Sequence, residues 1–159
     1  MRPSPENRSW PEANTRIEVS IQKQSLTLFR TEEKLFSAPV STAANGAGFE
    51  DGSFKTPTGQ FIVRERIGEG APLLTFFKGR LPRGIGNLGS DDAILTRILW
   101  LEGLDEMNAN TYRRYIYFHG THEEEKIGQP ASHGCIRLNN KDMLTLFDLT
   151  PIFTNVHII

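Results

Sequence analysis

The 159-residue chain has one cysteine, no block of like charge and no long apolar run. Each shortage removes a class of protein. A single thiol closes no intramolecular disulfide and builds no Cys-rich zinc scaffold. The formal net charge is −1. A nucleic-acid partner normally needs a basic face against phosphate, so none is expected. No stretch nears the ~20 apolar residues of a spanning helix, so no membrane partner is expected either. Residues 1–10 show neither the apolar segment nor the small-residue cleavage site of a secretory signal. The expected location is the cytoplasm, or the periplasm if a signal has been removed.

What is present fits one soluble domain. Hydrophobic residues make up 38% and charged residues 23%, with 14 glycines and 9 prolines to make turns. Residues 1–14 are polar and proline-containing and read as a loose arm; residues 15–159 read as the folded unit. Ile17, Val19 and Ile21 alternate with Glu18 and Ser20, the period of a half-buried strand. Leu26–Phe29 and Leu35–Val40 follow as two more strands, and Phe61–Val63 as another. Residues 68–93, rich in glycine, predict a long irregular excursion of the kind that serves as a lid. In 94–101, Ile94, Ile98 and Trp100 share one parity and Leu95, Leu99 and Leu101 the other. That run is read as a buried strand. Tyr112–Phe118 is read as an aromatic and β-branched strand. Asn139 or Asn140 can cap a helix over 141–148, with Leu144, Phe147 and Asp148 at helical spacing. Ile152–Phe153 and Val156–Ile159 close the chain as strand. The sum is mostly β with one or two short helices, in a sandwich-like or barrel-like arrangement.

The chemistry concentrates in Tyr117-Phe-His119-Gly-Thr121, Ile127-Gly128 and Ser132-His-Gly-Cys-Ile-Arg-Leu138. The thiolate is the attacking form of cysteine. It needs a basic partner, and that partner needs a group to fix its tautomer. His119 and His133 offer the partner for Cys135. Gly134 lets a carbonyl approach the backbone, and the amides of Gly134 and Cys135 are candidates for an oxyanion pocket. Arg137 offers a fixed positive charge whose fork suits a carboxylate.

These motifs resemble the signature of the L,D-transpeptidase catalytic domain, also called the YkuD domain. Lys55-Thr-Pro-Thr-Gly-Gln-Phe61 is similar to a loop of that family, Val40-Ser-Thr42 to the strand before it, and Asp142-Met-Leu-Thr-Leu-Phe147 to the helix after the cysteine. The resemblance covers residues 15–159. It implies that Cys135 attacks the carbonyl between a diamino acid and the terminal D-alanine of a peptidoglycan tetrapeptide. His119 is then the base, with the Gly120 carbonyl on its other nitrogen. Ser132, His133, Gly134 and Arg137 then shape the substrate and oxyanion site. No metal or cofactor is implied. The implied partners are a tetrapeptide stem or muropeptide, with carbapenem β-lactams as covalent inhibitors.

Two acceptors are open for the acyl-enzyme. Water would make the protein an L,D-carboxypeptidase releasing D-alanine, and this is the expected main reaction. A second stem or a free D-amino acid would make it an L,D-transpeptidase. That choice turns on whether residues 41–54 and 68–93 leave room for a second peptide. A zinc site from His119, His122, His133 and Cys135 is the contrary reading. It is disfavoured because His119 and His122 stand only three apart just beyond a strand. His122 is read as loop and His157 as packing.

Overall fold

The alternating segment at the start becomes strand β1 (Thr15–Ser20), with Ile17 and Val19 fully buried. It is antiparallel to β2 (Ser25–Arg30), which in turn pairs with β3 (Glu33–Pro39). The structure is a computed structural model that describes residues 14–86 and 93–159. The closing strand β10 (Asn155–Ile158) lies parallel to β1 and antiparallel to β4 (Gly59–Ile67), which joins the two ends of the chain. β4 then pairs with β7 (Ile94–Gly103), and β7 with both β5 (Thr75–Lys78) and β8 (Tyr117–Gly120). β6 (Leu81–Ile85) forms a hairpin with β5, and β9 (Ile136–Leu138) runs parallel to β8. The ten strands make one mixed sheet. With a single α-helix, α1 (Asn140–Leu149), the described residues form the mostly β architecture expected.

β7 is the pivot, and its two parities are both buried for different reasons. Leu99 and Leu101 enter the main core with Phe61, Val63, Phe118, Met143, Leu146 and Phe147. Ile98 and Trp100 enter a smaller cluster with Phe77 and Tyr117, against which Cys135 packs. A strand buried on both faces reads as continuous apolar sequence, which is why periodicity alone was ambiguous there. Helix α1 packs on β7 and β8. Asn139 is its N-cap, accepting a hydrogen bond from the Asp142 amide at 2.8 Å. Its buried face is Met143, Leu146 and Phe147, while Leu144 is half-buried and Asp148 exposed.

Three segments differ from expectation. Residues Tyr112–Arg114 form a 3-10 turn, and Tyr115 is left-handed at φ 58°, so strand begins only at Tyr117. The cause is tertiary. The Tyr112 ring stacks on Trp100 at 4.0 Å while its carbonyl accepts from Trp100 Nε1 at 3.0 Å. Local β preference yields to that contact. Ile152–Phe153 is a turn, with Phe153 at φ 69° and its amide donated to Val63 O at 2.8 Å. Finally, the excursion at 68–93 is not irregular at 75–85. It carries the β5–β6 hairpin, closed by Gly79 and Arg80 at φ 57° and 65°. Two consecutive positive φ values give the tight turn whose twist matches a hairpin. Residues 87–92 of that excursion, and nearly all of the expected N-terminal arm, lie outside the described residues.

Candidate active site

Cys135 immediately precedes β9, and its loop is held from beneath. Gly134 adopts φ 126°, and a Cβ there would stand 3.3 Å from Lys55 O. That conformation and that crowding both exclude a side chain. Thr56 Oγ1 donates to Gly134 O at 2.9 Å and accepts from the Ala43 amide at 3.0 Å. Ser132 Oγ donates to Cys135 O at 2.6 Å and accepts from the Gly134 amide at 3.1 Å. Ser132 is 1% exposed, so it acts as a clamp on the loop. The Gly134 amide, one of the two considered for an oxyanion pocket, is engaged inside that clamp.

The thiol has two main-chain contacts. Sγ donates to Tyr115 O at 3.3 Å and accepts from the Tyr117 amide at 3.4 Å. The left-handed Tyr115 is what turns its carbonyl toward the sulfur. An N–H aimed at sulfur offers a partner to the thiolate.

His119 lies in β8 and is 1% exposed. Its Nδ1 is 2.6 Å from Gly120 O. A carbonyl only accepts, so Nδ1 carries the proton and Nε2 is the basic nitrogen. Gly120 must be glycine: a Cβ would overlap Asn140 Oδ1 and come to 2.9 Å from Leu95 O. Asn140 is itself fixed, accepting from Thr96 Oγ1 at 2.7 Å and donating to Thr121 O at 2.6 Å. The helix start thus sets the turn that orients His119.

Arg137 stands beside His119 in register and is 1% exposed. Its Nη1 meets Glu123 Oε1 at 3.2 Å, while Lys126 Nζ meets the other carboxylate oxygen at 2.6 Å. Lys126 first, and then Arg137, hold the Glu123 carboxyl below its ordinary range despite burial. The charge expected to face a substrate carboxylate faces a protein carboxylate. His133 is exposed and leans on Phe54, with ring centroids 5.6 Å apart. His122 is half-buried in the loop after β8, and His157 is half-buried in β10. Among the described residues, no three His, Cys, Asp or Glu side chains group as a metal site would require.

Sequence reasoning missed the rim of the site. Trp100 stacks on Tyr112 and meets Tyr117 edge-on at 5.4 Å. Arg80, at the tip of the β5–β6 hairpin, lies 4.9 Å over Trp100 and 5.1 Å over Tyr115, and donates to the Tyr117 hydroxyl at 3.4 Å. Arg64 covers the outer face of Tyr112 at 3.8 Å, and Glu65 accepts from the Tyr112 hydroxyl. Burial pushes the Tyr117 phenol up, which keeps it neutral beside Arg80. The signal was there in the repeated tyrosines at 112, 115 and 117, but it reads as β propensity. Beside Tyr115 and His133, a groove of about 430 Å³ is also lined by Asp51, Phe54, Arg113 and Arg114. A larger cavity of about 650 Å³ between Arg66, Glu69, Asp148 and Thr150 shares no residue with the cysteine motif.

Comparison with known proteins gives the family and the fold. The family model for the L,D-transpeptidase catalytic domain (YkuD) matches residues 14–158. The "Putative L,D-transpeptidase in ATP synthase subunits region ORF 5" of Fuscovulum blasticum is 49% identical over 71 residues, 45% of this chain and 32% of that protein. The "Putative L,D-transpeptidase YkuD" of Bacillus licheniformis is 24% identical over 143 residues, 90% of this chain and 64% of that protein. The chain thus spans less than two thirds of the length of either relative. A solved L,D-transpeptidase in complex with imipenem shares the fold, with TM-score 0.59 and 19% identity over 92% of this chain and 59% of that one. The match along nearly the whole folded unit places this chain in the YkuD family of L,D-transpeptidase catalytic domains.

Proposed function

We propose that the protein is a cysteine acyl-transfer enzyme acting on the bond between the diamino acid and the terminal D-alanine of a peptidoglycan stem. The observation that carries this reading is the Cys135 thiol, fixed between Tyr115 O and Tyr117 N. His119 takes the thiol proton at Nε2, and sulfur adds to the scissile carbonyl. The carbon–nitrogen bond breaks, His119 returns the proton to the departing D-alanine amine, and a thioester remains. An acceptor then loses a proton to His119 and attacks the thioester, which releases the thiol. Gly120 O holds the tautomer that allows both transfers. The Cys135 amide serves the developing oxyanion, while the Gly134 amide stays with Ser132.

The acceptor in this reading is a second amine. Hydrolysis is the expectation if residues 41–54 and 68–93 close off a second groove. Asp51 and Phe54 help line a groove beside Tyr115 and His133, which supports an amine acceptor. A groove that holds an amine near the thioester raises its effective concentration over what free solution gives. Incubation with a disaccharide tetrapeptide, with and without a free D-amino acid, tests the assignment. Dimer or exchanged tetrapeptide should exceed tripeptide. Tripeptide plus free D-alanine as the main products would return the protein to the L,D-carboxypeptidase reading.

The same thiol should accept a carbapenem. The strained lactam carbonyl is an acyl donor, and ring opening leaves the drug on sulfur as a one-to-one adduct. A Cys135→Ala protein should form none by intact-mass spectrometry.

A further inference from the structure

Arg80 is built into the site in a way the acyl-transfer steps do not use. It projects from a two-residue turn that requires positive φ at both positions, so the hairpin aims it in one direction. The guanidinium lies over Trp100 and Tyr115 and donates to the Tyr117 hydroxyl. Among the described residues these contacts are all aromatic, and no carboxylate pairs with it. Aromatic faces hold a guanidinium in place while leaving its in-plane donors able to form a bidentate pair. Arg137 is the contrast: it is buried against Glu123.

The position of Arg80 relative to the thiol selects among substrate groups. Cys135 Sγ touches the main-chain end of Tyr117 and Arg80 touches the phenol end. The thiol and the guanidinium therefore meet opposite ends of one residue, with the Tyr117 side chain between them. The carboxylate of the leaving D-alanine is only three bonds from the scissile carbonyl carbon, the shorter reach of the two. The distal carboxylate of a diaminodicarboxylic acid is six bonds away, at the end of an extended side chain.

We propose that Arg80 is a specificity residue that binds the distal carboxylate of the diamino acid, so that the enzyme prefers a free diaminodicarboxylate stem to its amide or to a lysine stem. The inference rests on the acyl-transfer reading above. A charge-assisted hydrogen-bond pair supports a preference of about tenfold to a hundredfold. The lysine stem lacks the group altogether and the amide keeps its shape without its charge, so the two analogues separate shape from charge.

The test uses the full chain and three tetrapeptides differing only at the diamino acid: free carboxylate, carboxamide and lysine. Rates of D-alanine release are measured for wild type, Arg80→Gln and Arg80→Lys. Wild type should favour the free carboxylate by about tenfold to a hundredfold over both analogues. Arg80→Gln should bring that ratio to near one, and Arg80→Lys should restore part of it. Equal rates on the three peptides with wild type would overturn the specificity assignment and leave acyl transfer standing. Equal losses on all three with Arg80→Gln would also overturn it, marking Arg80 as a clamp that only holds the hairpin. Absence of D-alanine release from every peptide by wild type would remove the acyl-transfer reading, and this inference with it.

Discussion

The two faces of β7 show how one strand serves two purposes. On one face, Leu99 and Leu101 meet Phe118, Met143 and Phe147 in an aliphatic and aromatic core beneath α1. On the other, Ile98 and Trp100 meet Tyr112, Tyr117 and Cys135, and cations close the cluster at Arg64 and Arg80. The first face is apolar except where Arg66 and Arg97 lie over the Phe147 ring. The second carries phenols, guanidinium groups and a thiol in contact with Tyr115 O and Tyr117 N. A core of the first kind resists any loss of volume. A surface of the second kind can give up packing and still fold, because its purpose is to present groups to a ligand.

The division is tested most severely at His119. His119→Ala should lower acylation by a tetrapeptide about 10²- to 10⁴-fold, the usual worth of a positioned acid–base group. Its unfolding midpoint in urea should move much less. A rate within tenfold of wild type would transfer the base role to the exposed His133. Glu123→Ala should come next, on the stability side. It removes one carboxylate partner of buried Arg137, and breaking a buried ion pair costs about 3–5 kcal/mol. Leu99→Ala should cost about 2–5 kcal/mol by cavity formation, with the acylation rate of the folded fraction largely retained. Trp100→Leu should show the reverse balance, a larger fall in acylation than in stability. If both substitutions shift rate and stability in the same proportion, the two faces are not functionally distinct.

A smaller effect follows acidity. The Glu123 carboxyl is held below its ordinary value of 4.5 by Lys126 and then Arg137. A depressed folded-state value means that its stabilisation is full above the unfolded value. It fades as pH falls toward the folded one. Glu123→Gln should therefore be less stable than wild type at neutral pH, and the gap between their melting temperatures should narrow from about pH 5 downward. A gap that stays constant to about pH 3 would show that the carboxylate charge contributes nothing. The smallest expected effect is the helix cap. Asn139→Ala removes the bond to the Asp142 amide and should cost about 1 kcal/mol.

Much of this was legible before any coordinates. Single-sided strands such as β1 announce themselves by alternation, and the pair Asn139 and Asn140 by its place before a helix, of which Asn139 is the cap. The motif residues His119, Gly120 and Cys135 were legible because their chemistry and spacing are unusual together. What escaped shares one physical cause, which is distant contact. Tyr112 and Tyr115 look like strand, yet Tyr112 stacks on Trp100 in a turn and the left-handed Tyr115 that follows aims its carbonyl at sulfur. Arg137 looked like a substrate anchor, yet Glu123, fourteen positions away, reaches it first. Arg80 sat in a glycine-rich stretch that suggested no order, and only the hairpin brings it over Trp100.

The measurement closest to the central claim is intact-mass spectrometry of the protein quenched during reaction with a diaminodicarboxylate tetrapeptide. A mass increase equal to the peptide minus its terminal D-alanine should appear on wild type. Proteolytic mapping should locate it on Cys135, and Cys135→Ala with an unchanged circular dichroism spectrum should show neither the adduct nor turnover. Turnover by Cys135→Ala within tenfold of wild type, or an adduct mapped to another residue, would contradict the account.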